Sequence, residues 1–143
     1  LDPASVKPGL SRRNGEHTTH FAAADASGLA VNVTQSLGSP FGSGFMAGDT
    51  GLMMNNFLNW VDLDPASPNA LAPGKQMENC MAPPQVYRDG RFLMTMGTPG
   101  SWGIPQTQAQ AILNVLVFGM NVQEAIDAPR FRLMGGRRVA IEG

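Results

Sequence analysis

The chain has 143 residues, 43% of them apolar and 15% charged, with a formal charge of −1. It is long enough to bury one core, and a charge near zero, with arginines in scattered pairs such as Arg12-Arg13 and Arg137-Arg138, argues against nucleic acid as a partner. Cys80 stands alone, which excludes an internal disulfide and paired-cysteine metal spacing, and no apolar run approaches the ~18 residues of a membrane helix.

Residues 1 to 17 carry the turn signals Asp2-Pro3, Lys7-Pro8-Gly9 and Asn14-Gly15 and little apolar periodicity, so they read as a linker. Thr18 to Asp25, a turn at Ala26-Ser27-Gly28, and Leu29 to Gln35 predict a hairpin with Val31 and Val33 on one face. A glycine-rich stretch, Ser36-Leu37-Gly38-Ser39-Pro40-Phe41-Gly42-Ser43-Gly44, follows, and then a second expected strand pair, Phe45-Met46-Ala47 with Leu52 to Asn56. Asp64-Pro65, Ser67-Pro68, Ala72-Pro73-Gly74 and Ala82-Pro83 rule out long regular elements over 57 to 83. A structureless stretch of that length is uncommon in a compact domain, so it reads as an ordered loop near a site or an interface.

Gln85 to Arg88, the Asp89-Gly90 turn and Arg91 to Met96 form the clearest hairpin signal. A helix of about fourteen residues is expected from Pro105 to Phe118, apolar at Ala109, Ile112, Leu113, Leu116 and Val117, with Gly119 as its stop. A second runs from the N-cap Asn121, with Glu124 three residues on, to just before Pro129. More strand is expected around Phe131 to Ile141, which gives an α+β layout with both helices on one sheet face. The start at Leu1 and the end at Gly143, straight after Arg138-Val139-Ala140-Ile141, read as one piece of a larger polypeptide, so any targeting signal lies outside it and the compartment stays open.

The chemistry concentrates at Glu16-His17-Thr18-Thr19-His20, which stands directly before the first strand and reads as a self-cleavage junction. Scission between His17 and Thr18 gives Thr18 a free α-amino group beside its own hydroxyl. An α-amino group titrates at about 7.7–8.0, so it can take the hydroxyl proton and serve as general base for its own residue. Thr19 competes for the cleavage point.

These residues resemble the γ-glutamyltranspeptidases, N-terminal-nucleophile hydrolases, in the region of their small catalytic subunit. The resemblance runs from Thr18 to Gly143 through Thr18-Thr19-His20, Asp25 and Gly28, Phe41-Gly42-Ser43-Gly44, Ala47-Gly48, Asn55-Asn56, Met81-Ala82-Pro83, Gly97-Thr98-Pro99-Gly100-Ser101, Gly119-Met120-Asn121-Val122 and Ala128-Pro129-Arg130-Phe131. It implies a four-layer αββα fold made by a precursor that cuts itself before the nucleophilic threonine. On that reading 18 to 143 is catalytic small-subunit sequence, 1 to 17 is the tail of the large subunit, and the partner is the large subunit of the same precursor. No metal or organic cofactor is implied.

The resemblance places the nucleophile at Thr18 and an assisting hydroxyl at Ser36, with a loop-capping serine as the plain alternative. It places the oxyanion-binding backbone pair at Gly100 and Ser101, where the family has Gly-Gly; Ser101 narrows the space and disfavours a positive φ. Trp102 either walls the pocket or merely packs. The family positions that hold the α-amino and α-carboxylate groups of a γ-glutamyl substrate fall here on Gly38, Phe57, Trp60, Asn79 and Cys80, so the amine-binding acid is replaced by an aromatic ring. Asn59 and Asp62 are substitutes only if the loop shifts by a residue or two.

The remaining signals have ordinary structural readings. Asn32-Val33-Thr34 matches a glycosylation acceptor but lies in an expected strand; His17 and His20 read as structural, Cys80 as a buried thiol, and Asp25, Asp49, Asp62 and Asp64 as turn residues. Taken together, the sequence reads as a self-processing threonine amidohydrolase that forms an acyl-enzyme from a small-molecule amide and releases it to water or an amine, with hydrolysis favoured. The alternatives are a cephalosporin-acylase-like enzyme for a non-glutamyl acyl group and an uncut, catalytically silent relative with a structural or binding role.

Overall fold

The computed structural model describes residues 17–134 and 136–143. The linker reading of 1 to 17 falls outside the described residues, apart from His17. Among the described residues, six strands and two α-helices follow in chain order: β1 (His17–Ala24), β2 (Ala30–Gly38), β3 (Gln85–Arg88), β4 (Arg91–Thr95), α1 (Ile104–Leu116), α2 (Val122–Asp127), β5 (Phe131–Leu133) and β6 (Val139–Ile141). The strands pair as three antiparallel hairpins, β1-β2, β3-β4 and β5-β6.

Local chemistry explains each turn. Asp25 closes β1-β2: its Oδ1 accepts from Ser27 N–H at 2.8 Å, Ser27 Oγ at 2.6 Å and Leu29 N–H at 3.1 Å, and Gly28 takes φ +90°. The Ser27 hydroxyl foremost, then the backbone N–H groups, holds the Asp25 carboxyl below the ordinary carboxylate range. Asp89 and Gly90 both have positive φ, +51° and +75°, as a two-residue hairpin turn of the right twist requires.

The helices begin and end where the sequence reading puts them, to within two residues. Pro105 sits in the first turn of α1, and Gly119 at φ +70° stops it while Phe118 N–H and Met120 N–H reach back to the carbonyls of Leu113 and Asn114. At α2, Asn121 Oδ1 accepts from Glu124 N–H and the Glu124 carboxylate accepts from Asn121 N–H, both at 2.9 Å, a complete capping box.

Three expectations change. β2 runs on to Gly38 rather than ending at Gln35, because residues 36 to 38 still pair with Thr18 and His17. The strand pair at 45–56 reduces to one bridge, Met46 with Met53, since the glycines at 44, 48 and 51 all take positive φ and break the ladder. The helices do not share one sheet face either: the described strands form separate two-stranded sheets, and α1 packs on α2 and β5. The four-layer stacking is thus not assembled within the described residues.

The α1-β5 contact has a specific cause. Gln106 and Gln110, one helical turn apart, each make a double amide bond to the outer edge of β5: Gln110 with Phe131 N–H and C=O (3.0 and 2.9 Å), Gln106 with Leu133 N–H and C=O (2.7 and 3.4 Å). The side chains stand in for a neighbouring strand and leave no bare edge there. Gly103, just before α1, lies against the Arg132 guanidinium so closely that a Cβ would come within 2.8 Å of it.

The core is small. Ala70, Cys80, Ile104, Ala111 and Ala125 are its buried apolar residues, joined by Gln108. An apolar hollow of about 650 Å³ opens between α1, α2, β4 and β5-β6, lined in part by Met94, Val115, Val122, Ile126 and Phe131. No described helix is long and apolar enough to cross a membrane.

Two stability outcomes follow. Gln110→Ala strips both partners from the Phe131 peptide groups, and each such bond contributes about 0.5–1.5 kcal/mol, so the full-length protein should lose roughly 1–2 kcal/mol in a denaturant titration. At the β5-β6 hairpin, Arg130 Nε lies 3.0 Å from Glu142 and, by this hydrogen bond first, lowers the Glu142 pKa. A lowered carboxylate pKa stabilises the fold above its unfolded value and stops doing so as pH falls through the folded one. The stability gap between wild type and Glu142→Gln, present at neutral pH, should close on acidification through the carboxylate range.

Candidate active site

β1 and β2 bring Thr18 opposite Ser36, with a register irregularity at the His17-Thr18 peptide itself. Thr18 Oγ1 donates to Ser36 Oγ at 3.2 Å. Ser36 Oγ in turn donates to the His17 carbonyl at 3.0 Å and accepts from Gly38 N–H at 2.9 Å. A hydroxyl has one proton and two lone pairs, so these three bonds fill it. The serine therefore touches the nucleophile candidate and the carbonyl that self-cleavage would attack. Thr19, one residue on, points to the other face of the strand. An open depression of about 470 Å³ lies over this point, lined by His17, Thr18, Ser36, Ser39, Pro40 and Phe41.

The glycine loop after β2 is clamped by Asn56, whose role the sequence reading missed. Its Oδ1 accepts from Ser39 N–H (3.1 Å), its Nδ2 donates to Ser39 Oγ (2.8 Å), and its N–H donates to the Leu37 carbonyl (3.0 Å). At Gly42, φ +56°, a Cβ would stand 2.2 Å from the Met54 carbonyl oxygen, so only glycine allows the loop to close on that strand.

The same clamp decides what Gly38 can be. A Cβ there would lie 2.1 Å from Asn56 Oδ1 and 3.3 Å from the Phe57 ring, at φ +90°. Phe57 thus fills the space beside Gly38, in a short 3₁₀ turn Phe57–Trp60. The Phe57 and Trp60 rings stack at 4.5 Å between centroids, and Trp60 meets Trp102 at 5.8 Å. Three aromatic rings from two segments, all half-buried, form one continuous wall. Trp102 packs on Trp60, and whether it also walls a substrate pocket is part of the proposal below.

Asn79 and Cys80 lie in the loop that precedes β3. The Asn79 side-chain oxygen accepts from Met81 N–H at 2.8 Å, and Cys80 is buried. Asp62, the suggested substitute acid, holds Ser67 Oγ at 2.5 Å within the loop. That loop is ordered, as expected, chiefly through Asn69, which donates to the Trp60 carbonyl at 2.7 Å and accepts from Glu78 N–H at 3.0 Å. Asn32 donates to the Pro84 carbonyl, so the apparent glycosylation acceptor has a packing role.

The Gly100-Ser101 segment stands at the mouth of α1. Gly100 takes φ 143°, ψ 18°, and Ser101 takes φ +49°, a left-handed conformation that costs a non-glycine residue roughly 1–2 kcal/mol. The serine adopts the shape its side chain disfavours. Among the described residues, neither Gly100 N–H nor Ser101 N–H is given to another group. Two adjacent free N–H groups are what an oxyanion requires. Among the described residues, no three His, Cys, Asp or Glu side chains gather as a metal site would.

Comparison with known proteins gives a consistent picture. The family model described as gamma-glutamyltranspeptidase matches residues 2–142. A glutathione hydrolase proenzyme from Pseudomonas sp. (strain A14) is 38% identical in an alignment of 136 positions that covers 88% of this chain and 24% of that protein. An acylase ACY 1 proenzyme from Pseudomonas sp. (strain V22) is 37% identical over 128 residues, 90% of this chain and 23% of that protein. The chain therefore spans about a quarter of the length of these relatives. Among solved structures, a highly active mutant of the gamma-glutamyltranspeptidase from Pseudomonas nitroreducens superposes with a TM-score of 0.74 at 31% identity, covering 82% of this chain and 66% of that one. A match along nearly the whole sequence, and a fold shared at that identity, leave one assignment: the chain belongs to the gamma-glutamyltranspeptidase family.

Proposed function

We propose that this chain carries the nucleophile of a self-processing amidohydrolase, with Thr18 as the attacking residue and Ser36 as its assistant. The observation that supports this most is the Ser36 hydroxyl, bonded at once to Thr18 Oγ1 (3.2 Å) and to the His17 carbonyl oxygen (3.0 Å). In self-cleavage, Thr18 Oγ1 attacks the His17 carbonyl carbon and Ser36 stabilises the oxygen as charge grows on it. The peptide C–N bond then breaks, the nitrogen leaves as the Thr18 α-amino group, and water hydrolyses the resulting ester.

The mature site works by the same elements. The α-amino group takes the Thr18 hydroxyl proton, Oγ1 attacks the substrate amide, and the Gly100 and Ser101 N–H groups receive the oxyanion. The amine leaves, and water releases the acyl group from Thr18. Proenzyme names among the relatives support the self-processing part of this reading.

The aromatic wall supports a substrate other than a γ-glutamyl amide. A site that holds a zwitterion needs polar groups for its ammonium and carboxylate ends, and their loss weakens such a substrate strongly, whereas apolar walls accept many acyl groups. Phe57, Trp60 and Trp102 suit an apolar or aromatic acyl group. The acylase among the relatives is compatible with that choice.

The rest of the same precursor is the proposed partner. Leu63, Phe41, Phe118 and Ile141 are all at least 70% exposed, and together with the apolar hollow beside α1 and α2 they leave more apolar surface than a monomer keeps bare. Covering that surface would complete the layered αββα arrangement from the three hairpins.

Expressed as the whole precursor, wild type should give two bands on a denaturing gel and a new N-terminus at Thr18, while Thr18→Ala stays uncut and inactive. Ser36→Ala should cut about 100-fold more slowly or worse, the usual loss for one oxyanion donor. A Thr18→Ala protein that still cuts at His17-Thr18 refutes the nucleophile. For the substrate, parallel assays on γ-glutamyl and phenylacetyl anilides should favour the second by at least about tenfold in kcat/KM, and Trp60→Ala should erase that preference. Strong γ-glutamyl release instead would show that other groups bind the zwitterion.

A further inference from the structure

His20 lies two residues after Thr18 on the same face of β1. Its Nδ1 is 3.1 Å from Thr34 Oγ1, across the ladder, directly beside the Thr18-Ser36 pair. The ring is pressed on Gly97: a Cβ added there would fall 1.9 Å from Nδ1, 2.0 Å from Cγ and 2.3 Å from Cε1. No side chain fits that space while the imidazole is in it. Its Nε2 is buried and has no hydrogen-bond partner among the described residues, an arrangement that an apolar side chain would fill at lower cost.

Gly97 opens the segment that leads to Gly100 and Ser101. The far end of that segment is fixed by Gly103 N–H on the Gly100 carbonyl (2.8 Å) and by the contact of Trp102 with Trp60. Three residue steps separate Gly97 from Gly100, a reach of at most about 10 Å. β4, which feeds the segment, is tied to the same hairpin face: Asn32 Nδ2 and Thr95 Oγ1 both donate to the Pro84 carbonyl, and Gln85 donates to the Ala30 carbonyl. The segment that carries the two N–H groups is therefore seated on the nucleophile hairpin by the imidazole on Gly97, with the bonds at Pro84 and Gln85 behind it.

We infer that His20 is a positioning residue, seated on Gly97 and oriented by Thr34, that holds the Gly100-Ser101 donors at their working distance from Thr18. This rests on the reading of Thr18 and of the Gly100-Ser101 pair given above. His20 does not touch substrate and moves no proton. It acts through the loop.

The test is a double-mutant cycle on the mature enzyme made from the whole precursor, with a phenylacetyl anilide as probe. Gly97→Ala should lower kcat at least about 30-fold, with KM within about threefold, because it displaces the oxyanion donors and leaves the substrate wall in place. Adding His20→Ala to Gly97→Ala should recover about tenfold in kcat, since the methyl group then takes the space of the ring. His20→Asn, whose amide occupies the position of Nδ1, should retain more kcat than His20→Ala. A double variant whose loss is the product of the two single losses overturns the inference, as does coupling that shows in the thermal midpoint but not in kcat. Should Gly97→Ala not fold, Thr34→Val carries the test: an unchanged kcat refutes the orienting bond, and a severalfold fall at constant KM supports it. Failure of the underlying reading is separately visible, as a wild-type precursor that stays uncut.

Discussion

The valence of a single hydroxyl governs the centre of this structure. Ser36 Oγ gives its proton to the His17 carbonyl and receives those of Gly38 N–H and Thr18 Oγ1, which leaves it no further bond to make. Saturation has directional consequences. The Thr18 proton points at Ser36, so the Thr18 lone pairs face elsewhere. The His17 carbonyl is drawn toward β2, and the ladder slips at this peptide to allow it. Gly38, at φ +90°, is where β2 turns away once its N–H has served the serine. A threonine at 36 would keep these bonds, whereas alanine would take the partner from an exposed carbonyl and from the half-buried Gly38 N–H.

The loop after β2 is shaped by a different constraint, the lack of room beside Gly38. Asn56 holds Ser39 by two bonds and Leu37 by one, which fixes the glycine loop over the turn that carries Phe57 and Trp60. A polar side chain at 38 would have to displace both the Asn56 amide and the Phe57 ring. Changing position 38 alone cannot install a polar side chain there, because its space is taken by the Asn56 amide and the Phe57 ring. The replacements at Gly38, Phe57 and Trp60 form one packed unit with Trp102, which argues for a pocket of altered preference rather than a dismantled one.

What could be read from the sequence was what short-range rules determine. The Asp25 and Asp89-Gly90 turns, the α1 stop at Gly119 and the Asn121-Glu124 box depend on residues within six positions of one another, so the sequence holds all the information. The pairing of Thr18 with Ser36 became legible only through family resemblance, because a spacing of 18 residues has no local signature. The Asn69 links to Trp60 and Glu78, nine residues away on either side, are side-chain bonds between loop segments, and no periodicity announces them. Gln106 and Gln110 pass as ordinary polar positions of an amphipathic helix. Their role depends on β5, more than twenty residues later, lying one turn-spacing away.

Ser101 shows why local rules fail at the site in particular. Left to its own preferences the residue would avoid φ +49°, and a sequence argument rightly counts that against a glycine-like backbone. The conformation persists because both flanks are fixed: His20 and Gly97 on the side of β1, and on the other Trp102 against Trp60 and the first turn of α1, where Ile104 is fully buried. A penalty of roughly 1–2 kcal/mol is of the order that burying one such side chain offsets, about 1.5–3 kcal/mol, so tertiary packing can hold the backbone against the local preference. The two neighbouring N–H groups have no partner among the described residues. A backbone held against its own propensity is thus what supports the proposed oxyanion role of Gly100 and Ser101.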